Sequence, residues 1–231
     1  MAQDASLALL AAAAGTLDVL GFLRLGPALM SAMTGNGALL GLAIGQHRLV
    51  AALHSLAAFV GFVVGVAGGA VLLDAGDGWS PRVTVVVSIE AVLLGAFALL
   101  WLTTGGPRSE VVIYALIVLA SGGMGLQSAA VRQLKIPGVT TTFFTGTLTS
   151  IVTSAVRTAK PAEGSRKLPT SMLPQIVALG AYVGAGAVAG FAAAHGADSV
   201  ALLPVVAVVV VLAGRAIAGF NVTRTGKRES C

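Results

Sequence analysis

The stretch SAMTGNGALLGLAIG (31–45) is apolar enough to lie in a membrane, yet its first half contains Thr-Gly-Asn-Gly, which is typical of a turn. A related stretch, TTFFTGTLTSIVTSA, occurs at 141–155. In both, a Thr-Gly break comes before a short apolar run. A helix that begins at such a break leaves up to four backbone N–H groups without partners. The two stretches therefore predict two short membrane helices with open N-terminal turns.

The composition of the whole chain indicates an integral membrane protein. Of its 231 residues, 56% are hydrophobic and 10% are charged, and the mean hydropathy is +0.93. Soluble domains carry roughly 25% charged residues. Many of the basic residues fall in 157–167 and 215–228, as expected of cytoplasmic loops and tails that contact anionic lipids. The basic character is therefore no sign of nucleic-acid binding, and we expect a cytoplasmic C-terminus.

Eight apolar runs follow one another along the chain. A helix that crosses a membrane needs about 20 apolar residues. Six runs reach that length, and the second and sixth do so only if the chain stays helical through the break. The runs cover 6–23, 28–45, 51–73, 82–103, 111–131, 140–157, 172–194 and 199–218.

The eight runs form two sets of four, which predicts an internal repeat. In each set a polar residue within the membrane, Asp18 or Gln127, precedes the Thr-Gly break. The run after each break carries glycines at helical spacing, a pattern that allows helices to pack closely. We therefore predict a first membrane repeat at 1–105, a second at 106–218 and a basic tail at 219–231.

The two repeats are either parallel or inverted. If the second and sixth runs enter and leave on one face, each repeat crosses three times and the two are inverted. That arrangement leaves only Arg24, Arg48 and Arg108 on the outer face, slightly better than full crossing does. The β-branched and aromatic stretch 140–144 also favours extended chain over helix. The predicted fold is thus all-α, with two inverted repeats of three spanning helices and one broken helix each.

The breaks and the buried polar residues are the candidate site. Helix N-termini attract anions, and matching broken helices mark the binding sites of many transporters. Carboxylates at membrane depth are costly and often carry protons. The alternatives are ordinary helix capping for the breaks, a structural hydrogen bond for Asp18 and a pairing with His54 for Glu90. The predicted substrate-binding residues are Asp18, Thr34, Gly35, Asn36, Gln127, Thr145, Gly146 and Thr147, and the proton-coupling candidates are Asp18 and Glu90.

Nothing in the sequence points to an enzyme or a cofactor. The chain has no P-loop, no Gly-x-Ser-x-Gly and no His-Glu-x-x-His motif. Three histidines and one cysteine make a metal site improbable. We therefore expect no catalytic residue, no cofactor and no bound metal.

Two longer motifs resemble those of a known family. GTLDVLGFLRLGPALMSAMTGNGALLGLAIG (15–45) is similar to the first signature of the YoaK-like family of bacterial membrane proteins, and GMGLQSAAVRQLKIPGVTTTFFTGTLTSI (123–151) to its second. The resemblance covers essentially the whole chain. It implies a small multi-pass protein of the bacterial cytoplasmic membrane, and it implies no substrate because the family's function is unknown. The second motif has Thr147 where the first has Asn36, so the two sites need not be equivalent.

These patterns favour a secondary transporter for a small polar or anionic solute. The breaks at 34–36 and 145–147 are expected to approach each other inside the membrane, with the solute between them. A passive channel and a non-transporting regulator or assembly partner are the alternatives. Expected partners are the solute and membrane lipids, and a homodimer is compatible with the glycine-rich faces.

Overall fold

The computed structural model describes residues 2–73, 76–134, 144–159 and 172–228, and those residues contain helices and no strands. Six of the helices are long and apolar enough to cross a membrane. The predicted all-α membrane fold is therefore confirmed. The helices are α1 (Ala2–Arg24), α2 (Met33–Gly45), α3 (Leu49–Leu72), α4 (Pro81–Thr103), α5 (Glu110–Gln133), α6 (Phe144–Ala159), α7 (Met172–Ala194) and α8 (Leu203–Arg228), with a 3-10 turn, Asp198–Leu202, before α8.

The second and sixth apolar runs form short helices, as the two breaks predict. Helix α2 has 13 residues and α6 has 16, so at 1.5 Å per residue each is shorter than a membrane is thick. Helix α2 begins at Met33, so the Thr-Gly pair lies in its first turn and does not precede the helix as predicted. Most of the predicted extended stretch 140–144 falls outside the described residues, and α6 begins at Phe144.

Local sequence explains the ends of several helices. Helix α1 ends at Arg24, where Gly26 adopts a left-handed conformation (φ 94°) and Pro27 follows. Helix α4 begins with Pro81 in its first turn, and the Ser80 hydroxyl accepts a hydrogen bond from the Val83 N–H. These signals keep the loops short and fix where each long helix starts.

Two pairs of helices make the most extensive contacts, α1 with α7 and α3 with α5. The predicted glycine face of α3 lies in the second pair. A Cβ atom on Gly65 would overlap the carbonyl oxygen of Gly122, so the two backbones touch there. On α7 the prediction holds only in part, because Gly186 lies against α1 while Gly180 and Gly184 have open space beside them.

Contacts at the helix ends define the two faces of the bundle. At one face, the Arg24 face, the Arg24 guanidinium donates to the Ala193 carbonyl at 2.6 Å, which joins the ends of α1 and α7. At the same face His54 Nε2 lies 3.0 Å from Glu110 Oε2, which joins the starts of α3 and α5. Gly26 lies against the His54 ring and connects the two contacts.

The opposite face, the Trp79 face, holds the turn between α3 and α4. The Gly78 N–H donates to the Gln133 carbonyl at the end of α5. The Arg215 guanidinium of α8 lies 4.4 Å from the centre of the Trp79 ring. Helices α1 and α7 therefore run towards the Arg24 face, whereas α3, α5 and α8 run towards the Trp79 face.

Candidate functional site

Asp18 lies at the junction of three segments and is 2% exposed. One carboxylate oxygen accepts the Ser31 N–H at 2.7 Å, and the other accepts the Ser31 hydroxyl at 2.7 Å and the Tyr182 hydroxyl at 2.5 Å. Ser31 lies two residues before α2, and Tyr182 lies on α7. One carboxyl group thus holds the entry to α2 against α1 and α7.

Asn36 fixes the same entry from inside α2. Its amide oxygen accepts the Leu29 N–H at 2.8 Å, and its amide nitrogen donates to the Leu29 carbonyl at 2.5 Å. The side chain is fully buried. Because non-helical backbone at membrane depth needs internal partners, this pair of hydrogen bonds stabilises the non-helical segment before α2. Asn36 therefore shapes the break, and its amide is engaged by the protein.

The first turn of α2 keeps an open character. Ala32, the residue before the helix, has no side chain that could accept from the first turn. Thr34 is exposed and Gly35 is half-buried. The Met33 and Asn36 N–H groups already donate to backbone carbonyls. The Thr34 and Gly35 N–H groups and the Thr34 hydroxyl can therefore meet a small polar ligand or an anion from outside the bundle.

The first turn of α6 has a similar layout. Thr145 and Gly146 are exposed, and Thr147, the counterpart of Asn36, is 4% exposed. One turn further on, the Ser150 hydroxyl accepts the buried Gln175 amide of α7 at 3.1 Å. In the first half, the Ser55 hydroxyl of α3 donates to the Pro27 carbonyl, which lies six residues before α2 begins.

The two first turns are not in direct contact, and their approach to each other across a bound solute stays a prediction. Helix α2 packs on α3 and helix α6 packs on α7, and no Cα atoms of α2 and α6 lie within 8 Å of each other. Each short helix thus makes its contacts within its own half of the chain, whereas the long helices pair across the halves, α1 with α7 and α3 with α5.

Glu90 has the most unusual surroundings of the buried polar groups. It is fully buried on α4, beside Gly123 of α5, and neither carboxylate oxygen has a hydrogen-bond partner in the described structure. The alternative that it pairs with His54 is wrong, because His54 pairs with Glu110. A carboxyl group without partners in an apolar interior is costly when ionised, which is the setting of a group that binds and releases a proton.

Gln127, the predicted counterpart of Asp18, is also fully buried. Its amide nitrogen donates to the Leu10 carbonyl of α1 at 3.2 Å. The bond joins α5 to α1, one helix of each predicted repeat. Gln127 and Asp18 thus both connect the halves, although they hold different elements.

The described residues contain no group of three or more His, Cys, Asp or Glu side chains that could hold a metal ion. The absence of cofactors remains a prediction.

Sequence reasoning missed the partners of Asp18. Ser31 and Tyr182 are ordinary in sequence, and nothing in their spacing points to a carboxylate 13 or 164 residues away. A weak signal was available, since Tyr182 interrupts the glycines of α7 and a buried tyrosine hydroxyl usually has a partner.

The described geometry is that of a multi-pass α-helical membrane protein with six candidate spans and two short helices between them. The chain belongs to the family described as a protein of unknown function, DUF1275, whose family model matches residues 6–214.

The chain is similar to the UPF0700 transmembrane protein YoaK of Bacillus subtilis (strain 168), with 39% identity over 152 residues. The match covers 65% of this chain and 66% of that protein. No solved structure matches the chain. The resemblance seen in the two motifs is thereby confirmed at the level of the family.

Proposed function

We propose that this protein is a secondary transporter for a small polar or anionic solute. The observation that carries the proposal is the pair of short helices, α2 and α6, each packed on the next long helix at a matching place in the chain. Irregular backbone at membrane depth is tolerated where it lines a cavity or is buried in protein, and broken helices in matching halves typically form transport sites.

We further propose that the halves 1–105 and 106–218 are inverted repeats. Exchanging α1–α4 with α5–α8 converts the α1–α7 contact into α5–α3, α1–α8 into α5–α4 and α2–α3 into α6–α7. All of these contacts occur. The directions support inversion as well, because α1 runs towards the Arg24 face and α5 runs away from it. Three crossings in each half put the start of α1 and the end of α8 at the Trp79 face in this proposal.

In this proposal the first turns of α2 and α6 bind the solute from opposite faces. The hydroxyl and backbone N–H groups come from Thr34 and Gly35 in α2 and from Thr145 and Gly146 in α6. Thr147 completes the first turn of α6. Three of the predicted binding residues position the site and do not contact the solute, because their side chains are hydrogen-bonded to backbone groups of the protein. They are Asp18, Asn36 and Gln127. Rocking of the two crossed helix pairs would expose the turns alternately.

Proton coupling, if transport is coupled, is assigned to Glu90 in preference to Asp18. Both were candidates from sequence, but the Asp18 oxygens already accept three hydrogen bonds, whereas the Glu90 oxygens accept none in the described structure. A group without fixed partners can change protonation without breaking a hydrogen-bond network. The variant Glu90→Gln keeps the shape and removes the titration.

Labelling of single cysteines will test the six-crossing arrangement. In a Cys231→Ser background, Ser109→Cys is expected to react with an impermeant maleimide from outside intact cells, and Asp77→Cys only after permeabilisation. The reason is that Ser109 lies at the Arg24 face and Asp77 at the Trp79 face, which has most of the basic residues and is proposed to be cytoplasmic.

Eight full crossings would reverse both results, and that outcome would contradict the inverted arrangement. Ala197→Cys is the matched control, because it lies outside in both arrangements. All three positions are exposed, so burial would not explain a cysteine that fails to react with the maleimide.

Transport itself can be measured with the purified protein in liposomes under a pH gradient, with a panel of small anions and polar solutes. We expect uptake that Thr34→Ala and Thr145→Ala each lower at least several-fold, while Thr103→Ala, an exposed threonine outside the short helices, has no effect. Glu90→Gln is expected to abolish proton-driven accumulation and to spare exchange of solute down its gradient.

Two other results would select the alternatives. Solute flux that shows no accumulation and is unchanged in Glu90→Gln would identify a passive channel. No flux for any solute, with stable co-purification of a second membrane protein, would identify a regulator or assembly partner. The same preparation, analysed by light scattering, tests the homodimer.

A further inference from the structure

A cavity of about 400 Å³ lies at the Trp79 face between the start of α4 and the last apolar turn of α8. Its lining includes Trp79, Ser80, Thr84, Leu212 and Arg215. Arg215 lies three residues before the apolar span of α8 ends at Ala218, so the cavity opens at the level of the membrane interface. Tryptophan and arginine both favour that level.

The Trp79 ring is held in a fixed orientation. Its indole N–H donates to the Thr84 hydroxyl at 2.9 Å, and the Thr84 hydroxyl in turn lies 3.4 Å from the Ser80 carbonyl. The guanidinium of Arg215 lies over this ring, 4.4 Å from its centre. Stacking on an aromatic face orients the fork of N–H donors.

Two donor atoms of Arg215 have no acceptor among the residues that the structure describes. Its Nε and Nη2 atoms are buried, and neither donates a hydrogen bond in the described part of the chain. Buried donors are normally satisfied, and a guanidinium matches the paired oxygens of phosphate or carboxylate. The neighbouring charged residues Arg82 and Asp77 each have interactions of their own. Arg215 thus lacks an acceptor that a ligand in the cavity would supply.

We propose that this cavity binds an anionic phosphate group, with Arg215 as its ligand and Trp79 as the platform. At the membrane interface the phosphate of an anionic phospholipid such as phosphatidylglycerol is presented at this depth, and a free phosphate ion has the same chemistry. The start of α4 adds the positive end of its dipole to the field of Arg215. The site is separate from the short helices and does not depend on the proposed transport.

The chain offers a matched control at the opposite face. Arg108 also lies over a tryptophan, 4.1 Å from the centre of the Trp101 ring, but its Nη2 donates to the Trp101 carbonyl at 3.2 Å. Only its Nε is buried without a partner among the described residues, against two donor atoms of Arg215. Arg108→Gln therefore removes the same charge from the same kind of stack without removing the proposed phosphate ligand.

The test uses the full chain in detergent and follows Trp79 fluorescence in a Trp101→Phe background, because the chain has two tryptophans. Brominated phosphatidylglycerol will quench Trp79, and Arg215→Gln will weaken that binding about tenfold or more, the effect of losing a charge-assisted pair of hydrogen bonds. Arg215→Lys will lose part of the affinity, because lysine keeps the charge without the fork. Arg108→Gln will bind as the parent does.

Two further measurements decide the ligand. A phosphate-free glycolipid with the same brominated chains should bind at least several-fold more weakly. Competition by inorganic phosphate would show that the free anion also occupies the site, and no competition would identify the lipid as the source. The proposal is overturned if Arg215→Gln binds like the parent, if Arg108→Gln loses as much, or if the glycolipid binds equally well. The rise in unfolding temperature with phosphatidylglycerol, measured with Trp101 present, repeats the comparison without the Trp101 change.

Discussion

Asp18→Ala is expected to lower the free energy of unfolding in detergent by about 3 kcal/mol or more. The substitution removes the acceptor of three hydrogen bonds. The donors that lose this acceptor are the Ser31 N–H, the Ser31 hydroxyl and the Tyr182 hydroxyl, and all three lie around the buried Asp18 side chain. Because those bonds hold the entry to α2, we also expect loss of any solute uptake. Denaturation by increasing sodium dodecyl sulfate measures the stability.

A graded series separates the carboxyl group from general disturbance of α1. Tyr182→Phe and Ser31→Ala each remove one side-chain bond and should cost about 1 kcal/mol. Asp18→Asn keeps one acceptor and should fall between these and Asp18→Ala. Two results would show that the three hydrogen bonds of Asp18 do not form one coupled network. One is an equal loss of stability in Tyr182→Phe and Asp18→Ala, and the other is strict additivity of the two losses in the double variant Asp18→Ala/Tyr182→Phe.

Gly65→Ala is expected to cost about 2–3 kcal/mol although it adds a single methyl group to an apolar helix. The added Cβ would overlap the Gly122 carbonyl oxygen and come within 3.0 Å of the Gly125 Cα. Both are backbone atoms, so α3 and α5 can separate but cannot rearrange side chains to make room. The effect should appear as a lower unfolding temperature.

Gly68→Ala is the matched control on the same helix. A Cβ there meets nothing within 4 Å, so the change should be neutral or stabilising by up to about 1 kcal/mol, the difference in helix propensity. Similar losses for the two variants would mean that the close approach of α3 and α5 contributes little to stability.

Much of the fold was predictable because hydrophobic runs and turn residues act locally. Five of the six long helices begin and end within a few residues of the predicted runs, and α8 continues ten residues past its run, to Arg228. The Thr-Gly stretches also marked two helices too short to cross. Hydropathy and turn chemistry depend on residues that are neighbours in the chain, and so do the position and the length of each helix.

The site was less predictable, because its contacts join distant parts of the chain. Sequence placed Asp18 and Glu90 in the membrane but could not tell that one carboxyl group has three donors and the other none. It also predicts that the two short helices face each other across a solute, and that stays a prediction. Nothing local to α2 or α6 encodes the packing of α1 with α7 or of α3 with α5 on which their positions depend.

The crossed pairing of long helices bears on how the protein is made. Helix α1 leaves the ribosome long before α7, its main partner, and the buried carboxylate of Asp18 meets Tyr182 only when α7 has been inserted. Until then α1 remains in the lipid or beside the insertion machinery, and the Asp18 carboxylate lacks the hydrogen bond from the Tyr182 hydroxyl. Neither half has its own full set of contacts, so the chain is expected to reach its folded state late in synthesis and in one step, and a fragment ending near residue 105 should be degraded in the cell.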